Sequence, residues 1–445
     1  MTDGRRLATL LFAAIIGTLS AVAPAQARDR RPNFLVIVAD DLGYSDLGAF
    51  GGEIRTPNLD KLALAGIRLA GFHTAPTCSP TRSMLLSGTD NHLAGLGTMA
   101  EMIRPNQKGK PGYEGYLRSD VATLAERLSA GGYRTLLSGK WHLGLTPEQD
   151  PHARGFQRSF ALLQGGHNHF GTDVDPGTEP AARGVATYRE DGKPVTRLPQ
   201  GFYSSDYFAT RLIDFLGERP AAGLGDRPFF AYLAFTAPHW PLQAPPEDIA
   251  RYKGRYDAGF DVLRELRLAR QRDLGLLAPD VVAHTPRNRD GSWDSLTAGQ
   301  QRLAARNMEI YAAMVDRLDQ NVGRVVEALR VSGELDNTVI LFLADNGAEA
   351  LDVDTTGAEM LASALKGADN DLPNRGAATS YLTYGAGWAQ AATAPSWLTK
   401  GYQSEGGTRT VAFVSGFGVP RRDGAATQYQ SVADIAPTLL DLAGV

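Results

Sequence analysis

A few short segments of this chain carry residue types that do chemistry together. Asp40-Asp41 and Asp345-Asn346 offer three carboxylates and one amide. That is a hard-oxygen donor set, suited to Ca2+ or Mg2+ and not to Zn2+, which prefers His and Cys. Three carboxylates gathered without a cation would raise one another's pKa, so a metal follows if they meet in space. Singly, each would be an ordinary acidic cap after a strand. The segment Cys78-Ser79-Pro80-Thr81-Arg82 puts a thiol just before a helix N-terminus, with Ser79 suited to the N-cap and Pro80 to the first turn. Backbone N–H groups and the helix dipole favour anions there, and Arg82 adds positive charge one turn in. Lys140, His142 and His239 complete the set of cations and proton carriers. Taken one at a time, such lysines and arginines are ordinarily solvated and such histidines structural. Their placement has to decide.

Placement follows from the apolar runs. Residues 34–39 lead into Asp40, 134–138 into Lys140 and His142, 229–235 into His239, and 339–344 into Asp345, while 410–414 form a further run closed by Ser415-Gly416. Each reads as a buried strand. Helical patterns lie between: one opened by Thr56-Pro57 and stopped by Gly66, one over 120–128 stopped by Gly131-Gly132, and the longest over 303–329. The alternation predicts an α/β fold with a large mixed, mostly parallel sheet and helices on both faces. The polar residues then share the carboxyl edge of the sheet, where ligands bind in open α/β folds. Residues 245–300, with a basic helical stretch at 264–272, read as an insertion near the mouth of the site or as a solvated helix. Residues 164–202 read as a long loop in which His167, Asn168 and His169 line the entrance or are simply solvated. Trp388 and Trp397 are expected to pack in the core.

The 445 residues allow one large domain. A net charge of -4 gives no sign of the concentrated basic face of a nucleic-acid binder. Arg5-Arg6, an apolar stretch to Leu19 and Ala25-Gln26-Ala27 read as a signal peptide over residues 1–27, too short to stay as a span. Residues 28–445 then form the catalytic domain of a periplasmic or secreted protein with no stable membrane insertion. The one Cys, Cys78, has no internal disulfide partner; it is a buried thiol, a link to another chain or a reactive group.

The pattern Cys78-x-Pro80-x-Arg82 resembles the sulfatase family, in which that Cys is oxidised to formylglycine. The likeness extends through Asp40-Asp41-Leu42-Gly43, Thr56-Pro57-Asn58-Leu59-Asp60, residues 139–144, Ala237-Pro238-His239, Asp345-Asn346-Gly347 and Glu405-Gly406-Gly407. It is strongest to bacterial arylsulfatases and implies an alkaline-phosphatase-like fold. It further implies one Ca2+ held by Asp40, Asp41, Asp345, Asn346 and the modified residue 78, whose hydrate attacks sulfur. Arg82 and Lys140 would hold the hydrate and the sulfate. His239 and Lys400 would bind the ester and assist the leaving group, and His142 would take the proton that lets sulfate depart. The substrate would be a small-molecule sulfate ester, aryl sulfates first, and maturation would require a formylglycine-generating enzyme. The usual small C-terminal antiparallel subdomain is expected to be missing, since the sequence stops at Val445. Two other readings stand beside this one: a phosphomonoesterase or phosphodiesterase of the same superfamily, and an inactive sulfatase-like binding protein. Asn346 in place of a His and Cys78 in place of a Ser or Thr count against the first.

Overall fold

The computed structural model describes residues 31–174, 185–218, 227–286, 291–354 and 361–445; the signal peptide expected over 1–27 lies outside them. The strands, in chain order, are β1 (Asn33–Ala39), β2 (Ile67–Leu69), β3 (Phe72–His73), β4 (Arg134–Lys140), β5 (Arg158–Leu162), β6 (Tyr188–Glu190) and β7 (Lys193–Val195). They continue as β8 (Phe229–Ala234), β9 (Thr338–Ala344), β10 (Ala412–Gly416), β11 (Ala425–Ala426) and β12 (Gln430–Ser431). Ten of them form one sheet in the order β11-β2-β10-β9-β1-β8-β4-β5-β6-β7. The run β9-β1-β8-β4-β5 is parallel throughout. β10 pairs antiparallel with β9, and β6 with β5. The α/β expectation holds.

Why the central strands read as unbroken apolar runs is visible in the packing. All seven residues of β1 are buried. Leu35, Ile37 and Ala39 face one core with Leu233, Ile340, Phe342 and the buried side of the Ala298–Ser332 helix. Phe34, Val36 and Val38 face a second core with Tyr232, Leu341 and residues of the Cys78–Ser87, Leu124–Ala130 and Ile435–Ala443 helices. Alternate side chains therefore go to opposite faces, and helices cover both. At about 25 cal/mol per Å2 of apolar surface, burial of this kind is the main stabilising term.

Several local expectations need correcting. The helix read over 120–128 begins at Leu124, because Thr123 and Glu126 close a capping box. The supposed loop 164–202 contains the hairpin β6–β7, which extends the sheet edge; its short strands carry too little periodicity to read. The basic Gly259–Asp273 helix is solvated on only some of its arginines, Arg270 and Arg272. Arg264 and Arg267 are buried, and Arg267 pairs with Asp46 and Glu53 in the loop after β1. His167 and His169 are also buried, so neither is solvated. Trp388 is in the core as expected, but Trp397 is half-exposed.

Candidate active site

The parallel strands deliver their polar residues to one edge. Asp40 and Asp41 follow β1, Lys140 ends β4, His142 follows it by two residues, and Asp345 and Asn346 follow β9. His239 lies beyond β8. Lys400 reaches the same edge because β10 runs antiparallel to β9, so the segment before β10 arrives where β9 ends.

Cys78 is the first residue of the Cys78–Ser87 helix, with Thr77 as N-cap. The sequence placed the cap at Ser79, two residues too late. Thr77 is extended and competes as a cap, which the Ser-Pro pair obscures. The consequence is that Cys78 sits inside the first turn, where N–H groups lack helical acceptors. Its Sγ is 3.5 Å from Asp40 Oδ1. Burial pushes the thiol well above its ordinary pKa, against the pull of Lys140 and Lys400, so it is a neutral thiol.

A buried charge network joins the remaining residues. Lys140 Nζ donates to Asp40 Oδ2 at 2.7 Å. Arg82 Nε donates to Asp345 Oδ2 at 2.9 Å, and its Nη1 to the Lys140 carbonyl at 3.2 Å. Lys400 Nζ lies 2.8 Å from Asp41 Oδ1 and 2.9 Å from Oδ2. Asn346 Nδ2 donates to Asp41 Oδ1 at 2.6 Å. His239 Nε2 is 3.6 Å from Asp41 Oδ2. Burial pushes the Asp40 carboxyl above its ordinary pKa although Lys140 pulls it down. Burial acts on Asp345 in the same sense, but Arg82 and Lys140 outweigh it and hold that carboxyl low. Three carboxylates (-3) thus face Arg82, Lys140 and Lys400 (+3), a balance of zero that a divalent cation would turn to about +2, favourable to an anionic substrate.

The donor set fits such a cation. One ligand atom each from Asp40, Asp41, Cys78 and His239 lie within 4.8 Å of one another. Asn346 Oδ1 is buried and has no hydrogen-bond partner among the described residues, which is the expected state of an amide oxygen reserved for a ligand. Asp41 and His142 both adopt positive φ, 66° and 59°. Non-glycine residues pay strain for that, and such strain concentrates at functional sites.

The two histidines have legible tautomers. His142 Nε2 lies 3.2 Å from Glu101 Oε1; a carboxylate only accepts, so Nε2 carries the proton. Nδ1 is then the bare nitrogen, and it is buried with no partner among the described residues. Burial lowers the His142 pKa while Glu101 opposes it, and the imidazole is neutral. His239 Nδ1 donates to the Trp240 carbonyl at 2.6 Å, leaving Nε2 toward the site.

The catalytic and metal-ligating candidates singled out in the sequence meet at this edge, with His142 held by Glu101 and not by the carboxylate cluster. Two neighbours were missed. Glu101 lies in a Gly- and Pro-rich stretch with no strand to announce it. Glu349, 3.6 Å from Lys400 Nζ, lies three residues past Asn346, and its place in Asp345–Glu349 could have been flagged.

The profile of the sulfatase family matches residues 32–445. An arylsulfatase of Klebsiella aerogenes is 39% identical over 98% of this chain and 91% of its own. An uncharacterised sulfatase of Schizosaccharomyces pombe is 52% identical over 94% of this chain and 76% of its own. Among solved structures, Ps i-CgsB in complex with k-i-k-neocarrahexaose superposes with a TM-score of 0.62 at 26% identity, covering 93% of this chain and 72% of that one. No helix among the described residues is long and apolar enough to cross a membrane. The chain belongs to the sulfatase family and is a sulfuric ester hydrolase.

Proposed function

We propose that this protein is an exported arylsulfatase whose residue 78 acts as formylglycine, with one calcium ion held by Asp40, Asp41, Asp345, Asn346 and residue 78. The observation that carries the reading is the position of Cys78. It lies in the first turn of a helix, beside Asp40 and near Lys140 and Lys400, as a neutral thiol that is not prepared to attack in its unmodified form. Oxidised to the aldehyde and hydrated, that residue supplies one hydroxyl as nucleophile and a second whose proton can be removed. Calcium, when bound, offsets the carboxylates and polarises the sulfate oxygens. The oxygen-rich donors favour calcium over zinc.

The protein's own groups do the rest. Arg82 and Lys140 hold residue 78 and the sulfate in line. Lys400 and His239 bind the ester oxygen and stabilise the departing phenol. Donors placed in advance around developing charge are each worth about 3 kcal/mol. His142 accepts at Nδ1 the proton of the second hydroxyl, and Glu101 keeps the ring in the tautomer that leaves Nδ1 free. The Klebsiella relative supports the aryl preference. Residues 1–27 act as the export signal and 28–445 as the catalytic domain in the periplasm or outside the cell. A formylglycine-generating enzyme modifies Cys78 before the chain folds, since the folded thiol is buried.

Mass spectrometry of the peptide containing residue 78, after co-expression with a formylglycine-generating enzyme, tests the modification. The expected result is conversion of the thiol to an aldehyde, in step with the gain of activity. Activity that rises with no change at residue 78 would contradict the proposal.

A further inference from the structure

Gly165 and Gly166 follow β5 and lie where a β-carbon would meet both histidines of the site. A Cβ on Gly165 would be 2.5 Å from Cε1, 2.9 Å from Nε2 and 3.1 Å from Nδ1 of His142. A Cβ on Gly166 would be 3.2 Å from Cε1 and 3.4 Å from Nδ1 of His239. Neither glycine has the positive φ that usually demands the residue. The backbone would accept alanine at both positions, so the rings themselves account for the missing side chains.

The segment is tied down on both sides. The His142 N–H donates to the Leu163 carbonyl at 3.2 Å. Gln164 and Thr187 exchange two hydrogen bonds of 2.8 Å. His167 Nε2 is 2.8 Å from Thr236 Oγ1, and Gln243 Oε1 accepts from the His169 N–H at 2.8 Å. These bonds hold the loop against the two rings. A methyl group at 165 would push the His142 ring off Glu101.

We infer that Gly165-Gly166 is a positioning element that seats both histidines, with Gly165 fixing the placement in which His142 keeps Nε2 on Glu101 and leaves the buried Nδ1 without a partner among the described residues. This rests on the reading of His142 as proton acceptor. The two glycines act unequally. The 2.5 Å contact at 165 forces the His142 ring to shift, whereas the 3.2 Å contact at 166 needs only a few tenths of an ångström.

Gly165→Ala should lower kcat about tenfold to a hundredfold at nearly unchanged KM, the usual effect of misplacing an acid–base group by about an ångström. Gly166→Ala should do less, and mainly on substrates with poor leaving groups. The deciding comparison is a double-mutant cycle, because only a residue acting through the ring gives non-additive losses. In a His142→Ala background, Gly165→Ala should cost no further activity, and any fall in thermal midpoint caused by Gly165→Ala should be relieved. Wild-type kcat in Gly165→Ala, an equal loss in both backgrounds, or failure of both the single and the double variant to fold would overturn the inference. If His142→Ala itself keeps wild-type kcat, the assignment of His142 falls separately, and the thermal-midpoint cycle alone then decides whether Gly165 seats the ring.

Discussion

Arg267 is the side chain on which the loop carrying Asp40 and Asp41 rests. It comes from the Gly259–Asp273 helix and is fully buried. Its Nη1 reaches Asp46 Oδ1 at 2.6 Å, its Nε reaches Glu53 Oε2 at 2.8 Å and its Nη2 reaches Glu53 Oε1 at 3.0 Å. The other oxygen of Asp46 accepts from the Gly43 N–H at 2.8 Å and the Tyr311 hydroxyl at 2.6 Å. One guanidinium therefore balances two carboxylates under the turn that follows Asp41. Arg267→Met keeps the stem's volume and removes the charge. Asp46, already pushed above its ordinary pKa by burial, would be left without its cation. Breaking a buried pair from one side costs about 3–5 kcal/mol. With about 2.1 cal/mol/K of unfolding entropy per residue, a two-state chain of this length would lose roughly 3–5 °C in thermal midpoint. Calorimetry of Arg267→Met, Asp46→Asn and the double variant checks it. The double variant should lose less than the sum of the singles, because no lone charge remains at Asp46. A single variant within about 1 °C of wild type, or strict additivity, would refute this account of the loop.

Other outcomes follow from the same contacts. Lys400→Met should lower kcat for aryl sulfates by about 10²–10³, as removal of one preorganised donor does, measured by steady-state kinetics. Glu101→Gln removes a charge that raises the His142 pKa, so the acidic limb of the kcat profile should move to lower pH as kcat falls. His169 is buried and neutral, with its pKa lowered by burial from 6.5 to about 4. The unfolded state then binds more protons between those values, so stability should fall as pH drops from 6.5 to 4, by up to about 3 kcal/mol. Denaturant titrations across that range should show a shallower fall in His169→Gln. Chelation should abolish activity, with calcium restoring it more fully than zinc.

The parts of this architecture that were legible in the sequence are those with a strong local signature. The parallel strands β1, β4, β8 and β9 are largely apolar runs that lead into an unusual polar residue, so the shared edge followed from the α/β pattern, whereas β5, which opens with Arg158-Ser159, was missed. The start of the Cys78–Ser87 helix was misplaced because a Ser-Pro pair and an extended Thr77 both satisfy capping rules. The β6–β7 hairpin was missed because strands of three residues carry almost no periodicity. Glu101 could not be found from spacing, since it meets His142 only through tertiary packing. The buried arginines of the Gly259–Asp273 helix looked like a solvated face, because their partners Asp46 and Glu53 lie far away in sequence.

The most direct measurement is kcat/KM for an aryl sulfate against the matching aryl phosphate, with the calcium-loaded protein after co-expression with a formylglycine-generating enzyme, in wild type and Cys78→Ala. The account predicts a strong preference for sulfate that disappears in Cys78→Ala. Preference for phosphate that survives in Cys78→Ala would contradict it.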